Sequence, residues 1–419
     1  MSIPDAASAL PHTLPALLAH QAQLRPNAIA LRHKRLGIWQ TWTWRELLSQ
    51  TQRYRTLLAE QGIKAESRLL LLSRPRVEAL LLSLAAQSLG AVVAPLDPEA
   101  DPTELQALLA LIQPELVFAE GQAEVDSVLA NSKAHGYHPT LLLYGDGRGL
   151  GSYALPELQS LPALLNALSA ETALTDWRSI VSAERHAFVF YGRDSSGLLI
   201  QQAFSHQRLI EETQSLIKNA QLIARDEALA ARAFATAGQA RYLLAPWLIV
   251  GLRLNFPENL ATRDHDRREL APTLVLGSKI TYARVAELAA QKLPRQGSLS
   301  RRLYDWAQRS HSSNALAWLL VQIYRRSLRE NLGFARLRTA LLIGEPLGKA
   351  HSQFYQSLGI DIRRLASAGV TAEIHSPDPE LDADLTTAKV LAGVALPETQ
   401  TDHAAAAESN AQPSAANSY

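Results

Sequence analysis

Residues Arg68–Leu96, RLLLLSRPRVEALLLSLAAQSLGAVVAPL, decide the fold class. Arg68–Leu72 ends in an unbroken apolar run of strand length, which suits a strand buried on both faces. Pro75 fits the first turn of a helix, where its missing N–H costs nothing. Apolar residues then continue to Gly90, whose access to the left-handed region suits a helix stop. Ala91–Pro95 reads as a second buried strand. Strand, helix and strand joined by short connections form the unit of a parallel sheet. The most membrane-like segment, Ala79–Leu96, lies in the same stretch. Ser83, Gln87, Ser88, Gly90 and Pro95 interrupt it, so it predicts a buried helix and strand, not a span.

The alternation continues on both sides. Thr43-Trp44-Arg45-Glu46 has capping-box spacing and opens an amphipathic helix ending near Gly62. Asp101-Pro102-Thr103-Glu104 places an N-cap carboxylate before a proline at the first helical position. Leu116–Ala119 and Thr140–Tyr144 read as strands, with Ala123–Ala130 as the helix between them. Residues 151–185 form a connecting region with one helix near Leu161–Leu168. A second α/β segment holds the apolar run Tyr242–Leu254, helices at Ser300–Trp306 and Ala315–Glu330, and a strand at Arg338–Ile343. The expected organisation is an N-terminal tail at 1–14, a first α/β subdomain at 15–185, a second at 186–398 and a disordered tail at 399–419. The last is rich in Ala, Ser, Asn and Gln and buries too little apolar surface to offset its ordering entropy.

Composition excludes several classes of function. With 419 residues, 47% hydrophobic and 19% charged, the chain is a globular protein large enough for more than one subdomain. Its net charge of +1 gives no field favouring nucleic acid or acidic membranes. Cysteine is absent, so disulfides, thiolate zinc sites and a cysteine nucleophile are excluded. The N-terminus lacks a basic region followed by an apolar run, so a cytoplasmic location is expected.

Functional chemistry concentrates in Phe188–His206, FVFYGRDSSGLLIQQAFSH. A short apolar strand enters a Ser/Gly turn, a second apolar run follows, and Ser205-His206 precedes a helix. Ser195 and Ser196 offer hydroxyls, and Gly197 one flexible position of the kind that lets backbone N–H groups approach a phosphate. This layout resembles the loop of the adenylate-forming enzymes, Tyr-Thr-Ser-Gly-Thr-Thr-Gly-x-Pro-Lys-Gly ending in Ser-His. Tyr191, Ser195, Ser196, Gly197, Ser205 and His206 fit it. Gly192, Arg193, Asp194, Leu199, Ile200 and Gln201 depart from it. The resemblance extends to long-chain fatty acyl-CoA synthetases through Arg32–Leu47, Leu84–Leu96, Phe118–Leu129, Leu254–Asn259 (LNFPEN), Arg338–Leu347 (RTALLIGEPL) and Gly393–Glu398, in one order along the chain.

The resemblance implies layered α/β subdomains with mostly parallel sheets, as in the large domain of those enzymes. It also implies ATP and Mg²⁺ as cofactors and a fatty acid or acyl-CoA as ligand. Tyr191, Arg193, Ser195, Ser196, Gly197, Gly369 and Thr371 become the candidate nucleotide-binding residues. Glu373 is the candidate catalytic carboxylate and Mg²⁺ ligand, and no other metal site is expected. The departures oppose the family's chemistry. Asp194 puts a carboxylate where the family has glycine, and Ile200 stands where it has the loop lysine. In Leu365–Glu373, LASAGVTAE, Ala368 replaces the aromatic that stacks on adenine and Ala372 falls at the glutamate position. No Gly-Asp follows residue 373, Lys389 sits in no matching context, and the small C-terminal domain of the family is expected to be absent. Two functional readings stay open, beside that of a decayed gene product with no selected role. One is a family member without ligase activity, binding or regulatory, partnered by an active synthetase paralogue or an acyl carrier. The other is a weakly active adenylating enzyme using Arg193 and Glu373, its C-terminal domain supplied by a separate chain.

Other motifs have plainer readings. Tyr144–Gly151, YGDGRGLG, fails the dinucleotide fingerprint at Leu150 and reads as a surface turn. Asp264-His265-Asp266, flanked by Arg263, Arg267, Arg268 and Glu269, reads as a solvated polar segment. Ser205-His206 reads as architectural, and Trp39, Trp42 and Trp44 as core packing.

Overall fold

The computed structural model describes residues 10–168, 177, 181–193, 199–230, 235, 237–292, 298, 302, 306, 315–365 and 389–390. Its strands are β1 (Ile29–Arg35), β2 (Ile38–Thr43), β3 (Arg68–Leu72), β4 (Val92–Leu96), β5 (Leu116–Ala119), β6 (Leu141–Tyr144), β7 (Leu158–Ser160), β8 (His186–Arg193), β9 (Leu199–Ser205), β10 (Glu227–Leu229), β11 (Arg253–Phe256), β12 (Leu274–Gly277), β13 (Thr339–Leu342), β14 (Ile362–Arg364) and β15 (Lys389–Val390). The helices are α1 (Leu14–Leu24), α2 (Trp44–Glu60), α3 (Val77–Ser88), α4 (Pro102–Ile112), α5 (Gln122–His135), α6 (Leu161–Ala167), α7 (His206–Ala220), α8 (Ala237–Gln239), α9 (Ala245–Val250), α10 (Arg263–Leu270), α11 (Lys279–Lys292), α12 (Ala315–Asn331) and α13 (Lys349–Ser357), with a π-helical turn joining α8 to α9.

Among the described residues the strands form two sheets. One has eight strands in the order β15-β9-β8-β4-β3-β5-β6-β7, the other seven in the order β14-β13-β12-β10-β11-β1-β2. Both are mostly parallel; β1–β2, β8–β9 and β9–β15 pair antiparallel. Side-chain alternation explains the layering. Leu69 and Leu71 of β3 enter a central core, while Leu70 and Leu72 enter a second core on the opposite face. In β13, Leu341 faces the central core and Ala340 and Leu342 face a third. Between the sheets, α3 touches β3 and β4, whereas α2 touches β1 and β2. Helices α4 and α5 cover the outer face of the larger sheet, and α11 and α13 that of the smaller. This is the α/β architecture that the strand-helix-strand reading predicts, with both faces of each parallel sheet covered.

Local expectations and structure agree closely at several points. Thr43 and Glu46 close the capping box, the Thr43 N–H donating to Glu46 Oε2 at 2.7 Å. Asp101 caps α4 by accepting from Thr103 at 2.9 Å. Arg68–Leu72 and Leu116–Ala119 are strands with the predicted bounds. Pro75 differs: Arg76 is the N-cap of α3, so the proline lies just outside the helix. The chain bends at Arg74 and Pro75, where Glu120 accepts from the Arg74 N–H at 2.9 Å, and Arg76 is extended before the helix begins.

The sheets are not divided at 185/186. Strands β1 and β2 belong with residues 227–364, and β8 and β9 extend the sheet built by β3 to β7. Nor does the first helix wait for residue 15: Leu14 begins α1 and is fully buried. The three tryptophans also part company. Trp44 stacks on Trp247 with centroids 5.1 Å apart in the core, while Trp39 is partly exposed and donates to Glu269 at 2.9 Å. The tail at 399–419 and most of the helix expected at Ser300–Trp306 lie outside the described residues.

Candidate functional site

Strands β8 and β9 form an antiparallel hairpin, with Gly192 opposite Ile200 and Arg193 opposite Leu199. Phe188, Phe190 and Phe204 pack together in the central core and fix its base. Tyr191 points to the other face, packs against the second core, and has its hydroxyl pKa raised by burial. Beyond it, Ser195, Ser196, Gly197 and Asp194 lie outside the described residues, as does the side chain of Arg193. The returning strand begins apolar on both faces: Leu199 lies in the second core and Ile200, 1% exposed, in the central one. A side chain at position 200 therefore points into the central core.

Where the hairpin ends, Ser205 caps α7 by accepting from the Arg208 N–H at 3.2 Å. His206 is buried and its Nδ1 accepts from the Leu14 N–H at 3.2 Å, tying α1 to the hairpin. Burial pushes its imidazole pKa down from 6.5 to about 4. The pair is architectural, as expected. One prediction follows from the sign of this shift. The unfolded chain takes up the proton first, so the contribution is intact above pH 6.5 and is lost as pH falls toward 4. The loss amounts to about 3 kcal/mol at full protonation. Chemical denaturation across this range measures it, and a His206→Phe variant should show a flatter pH dependence on a lower baseline.

A second concavity lies beside the carboxyl end of β13, along β14 and against α13. It is a cavity of about 190 Å³ lined by Leu342, Leu347, Tyr355, Ile360 and Ile362, with Asp361 and Arg364 among its polar lining residues. The intervening loop is fixed from several sides. Gly344 takes a φ of +81°, its carbonyl accepts from Arg364 Nε at 3.0 Å, and Glu345 pairs with Lys279 at 2.8 Å. Burial raises the Tyr355 hydroxyl pKa, and that hydroxyl donates to the Tyr282 carbonyl at 2.7 Å. Strand β14 leads directly into residues 366–373, and Gly369, Thr371 and Glu373 lie outside the described residues. Helix α7 connects the two places: it starts at the hairpin, and near its end the Asn219 carbonyl accepts from Arg363 at 3.3 Å. Both sit at the carboxyl edge of a parallel sheet, where open α/β folds bind ligands.

Sequence reading missed a charged network at the same edge. Arg76 donates twice to Glu120 Oε1, at 2.9 and 2.7 Å, and once to the Glu258 carbonyl at 3.4 Å, joining the two sheets. The Glu258 carboxylate accepts from Leu36 and Gly37 at the tip of β1–β2, at 2.7 and 3.0 Å. Thus part of LNFPEN is a clamp on the hairpin. The only local signal was a charge within two residues of the end of a buried strand, at Arg74 and Glu120.

Asp264-His265-Asp266 requires correction. Asp266 is fully buried and bonded to Lys34 at 2.8 Å, and Asp264 pairs with Arg267 at 2.9 Å and Arg284 at 2.5 Å. The segment is an inter-element ion-pair network, not a solvated face. No group of metal-type ligands with metal-site geometry occurs among the described residues.

The comparisons with known proteins match this architecture. A sequence profile of the AMP-binding enzyme family matches residues 18–400. The chain belongs to the AMP-binding enzyme family. No individual protein of curated function matches it by sequence. The luciferase-like enzyme of the nonluminescent mealworm Zophobas morio superposes with a TM-score of 0.65 at 13% identity, over 89% of this chain and 75% of that one. The N-terminal domain of FACL13 from Mycobacterium tuberculosis, in an inhibitor-bound structure, gives 0.60 at 14% identity, over 85% and 76%. The A-PCP didomain of a carboxylic acid reductase from Segniliparus rugosus, in complex with AMP, gives 0.64 at 15% identity, over 88% and 54%. At these identities the structures establish a shared fold.

The family generally uses ATP and Mg²⁺. Of the described side chains flanking the loop, Tyr191, Leu199 and Ile200 carry no charge and the last two are buried. The described part of the AMP-binding fold thus presents the family's two edge positions without a cation on the returning strand.

Proposed function

We propose that this chain is a long-chain fatty acyl-type member of the AMP-binding enzyme family that has lost adenylate formation and retains a binding or regulatory role. The buried Ile200 carries this reading, because the loop lysine of the family would stand at that position. Asp194 adds to it. A carboxylate about 4 Å from a phosphate charge is repelled by about 4 kcal/mol near a protein surface, and apolar residues 199 and 200 offer nothing to offset that. Tyr191, Arg193, Ser195, Ser196, Gly197, Gly369 and Thr371 would then line a nucleotide site without its clamp, and Glu373 would have no Mg²⁺ to hold. The cavity between β13, β14 and α13, with apolar side chains and Arg364 in its lining, supports a fatty acid or acyl-CoA as ligand. An active synthetase paralogue or an acyl carrier in the cytoplasm is the partner class. The A-PCP architecture of the carboxylic acid reductase supports the carrier.

ATP–pyrophosphate exchange with a panel of fatty acids tests the proposal. The expected result is exchange at the level of the no-protein control, with no heat of ATP binding at millimolar concentration. Exchange that Arg193→Ala or Glu373→Ala abolishes would establish an adenylating enzyme instead. Calorimetry with acyl-CoA is expected to give saturable binding.

A further inference from the structure

At the amino-terminal edge of the seven-stranded sheet, guanidinium groups outnumber their carboxylates. Glu227, the first residue of β10, is 4% exposed and takes three partners. They are Arg253 at the start of β11, Arg336 at 2.7 Å and Arg32 of β1 at 3.7 Å. The adjacent Asp226 is already engaged by Arg338 and by the Thr273 hydroxyl, which donates at 2.8 Å. One carboxylate therefore faces three cations, leaving two positive charges in excess.

The three are unequally satisfied. Arg336 also donates to the carbonyls of Leu270 and Ala271, at 2.8 and 3.1 Å. Arg253 keeps its Nε enclosed without a partner. Arg32 donates no hydrogen bond among the described residues; its carboxylate neighbour is 3.7 Å away although its side chain is only 22% exposed. A guanidinium so placed normally finds acceptors, because leaving buried donors unpaired is costly. Burial lowers the Arg32 pKa, Glu227 opposes that, and repulsion from Arg253 and Arg336 lowers it further. The side chains of Arg253 and Arg336 are 28% and 52% exposed, so the cluster is reachable from solvent.

We propose that Arg32, Arg253 and Arg336 form a binding site for a dianionic phosphate group, as inorganic phosphate or as a phosphomonoester. Its two charges match the local excess, and its oxygens suit the planar donor forks of arginine. The site lies by the amino-terminal ends of β10 and β11, on a different sheet from the β8–β9 hairpin, and shares no residue with the lining of the β13–β14 cavity.

Calorimetric titration of the full chain with inorganic phosphate and with glycerol phosphate, at ionic strength held constant by sodium chloride, tests it. Saturable binding is expected with at least one of the two, and the tighter names the source. Arg32→Ala leaves Glu227 two partners and should weaken binding about tenfold or more. Arg32→Lys, which keeps the charge without the fork, should weaken it less. Circular dichroism checks both folds; if Arg32→Ala does not fold, Arg32→Lys decides alone. Affinity unchanged by the substitution that folds, or no saturable response to either anion at millimolar concentration, overturns the proposal.

Discussion

Asp266→Ala lowers the stability of the chain by about 3–5 kcal/mol, read as a shift in the denaturant midpoint at unchanged slope. Asp266 is fully buried and accepts from Lys34 Nζ at 2.8 Å, the Thr262 hydroxyl at 2.8 Å and the Glu258 N–H at 3.2 Å. Lys34 is itself 6% exposed and keeps Glu269, at 2.6 Å, and the Trp39 ring at 5.5 Å once Asp266 is gone. The substitution thus strands part of a buried ammonium charge and orphans a backbone donor, both costly in a low-dielectric setting. The double replacement Lys34→Met with Asp266→Leu removes charge and partner together. It should cost far less than the sum of the single changes. Additive losses would show that the pair is not coupled.

Gly333→Ala is expected to cost about 3 kcal/mol or more. Gly333 has a φ of +72°, and a Cβ there would stand 2.7 Å from the Arg267 carbonyl oxygen and 2.9 Å from its Cγ. Arg267 cannot retreat easily: its Nε donates to the Leu332 carbonyl at 2.8 Å, and its guanidinium lies 5.3 Å from the Phe334 ring centroid. Gly359 supplies the control. Its φ is +69°, but nothing lies within 4 Å of an added Cβ, so Gly359→Ala should cost only the conformational penalty of about 1 kcal/mol. Thermal denaturation of the two variants separates strain from collision, and equal losses would dismiss the collision.

What the sequence disclosed, and what it hid, follows the range of the forces involved. The caps at Thr43 and Asp101 and the strands at Arg68–Leu72 and Leu116–Ala119 depend on neighbours within a few residues, and they were read closely. Asp264-His265-Asp266 was misread because its flanking charges are local, whereas the lysine that buries it is 232 residues away from Asp266. The hairpin was located from Tyr191 and Ser205-His206, yet the inward aim of Ile200 depends on strand register with Gly192. The β13–β14 cavity needs three elements to converge, and no single motif announces that. Trp44 and Trp39 fell on opposite sides of the burial line although both lie in one short segment.

The pairing of β1 with β11 has a consequence for how the chain is made. Leu31 finds its partner at Leu254, and β2 hangs from the same strand. During synthesis the first hairpin therefore leaves the ribosome long before the strand that will shelter it exists. In the interval the edge of β1 that β11 later covers, Leu31–His33, is open to pairing with other chains. Expression yield should therefore depend on how quickly the middle of the message is translated and on chaperone supply, more than on the final stability of the fold.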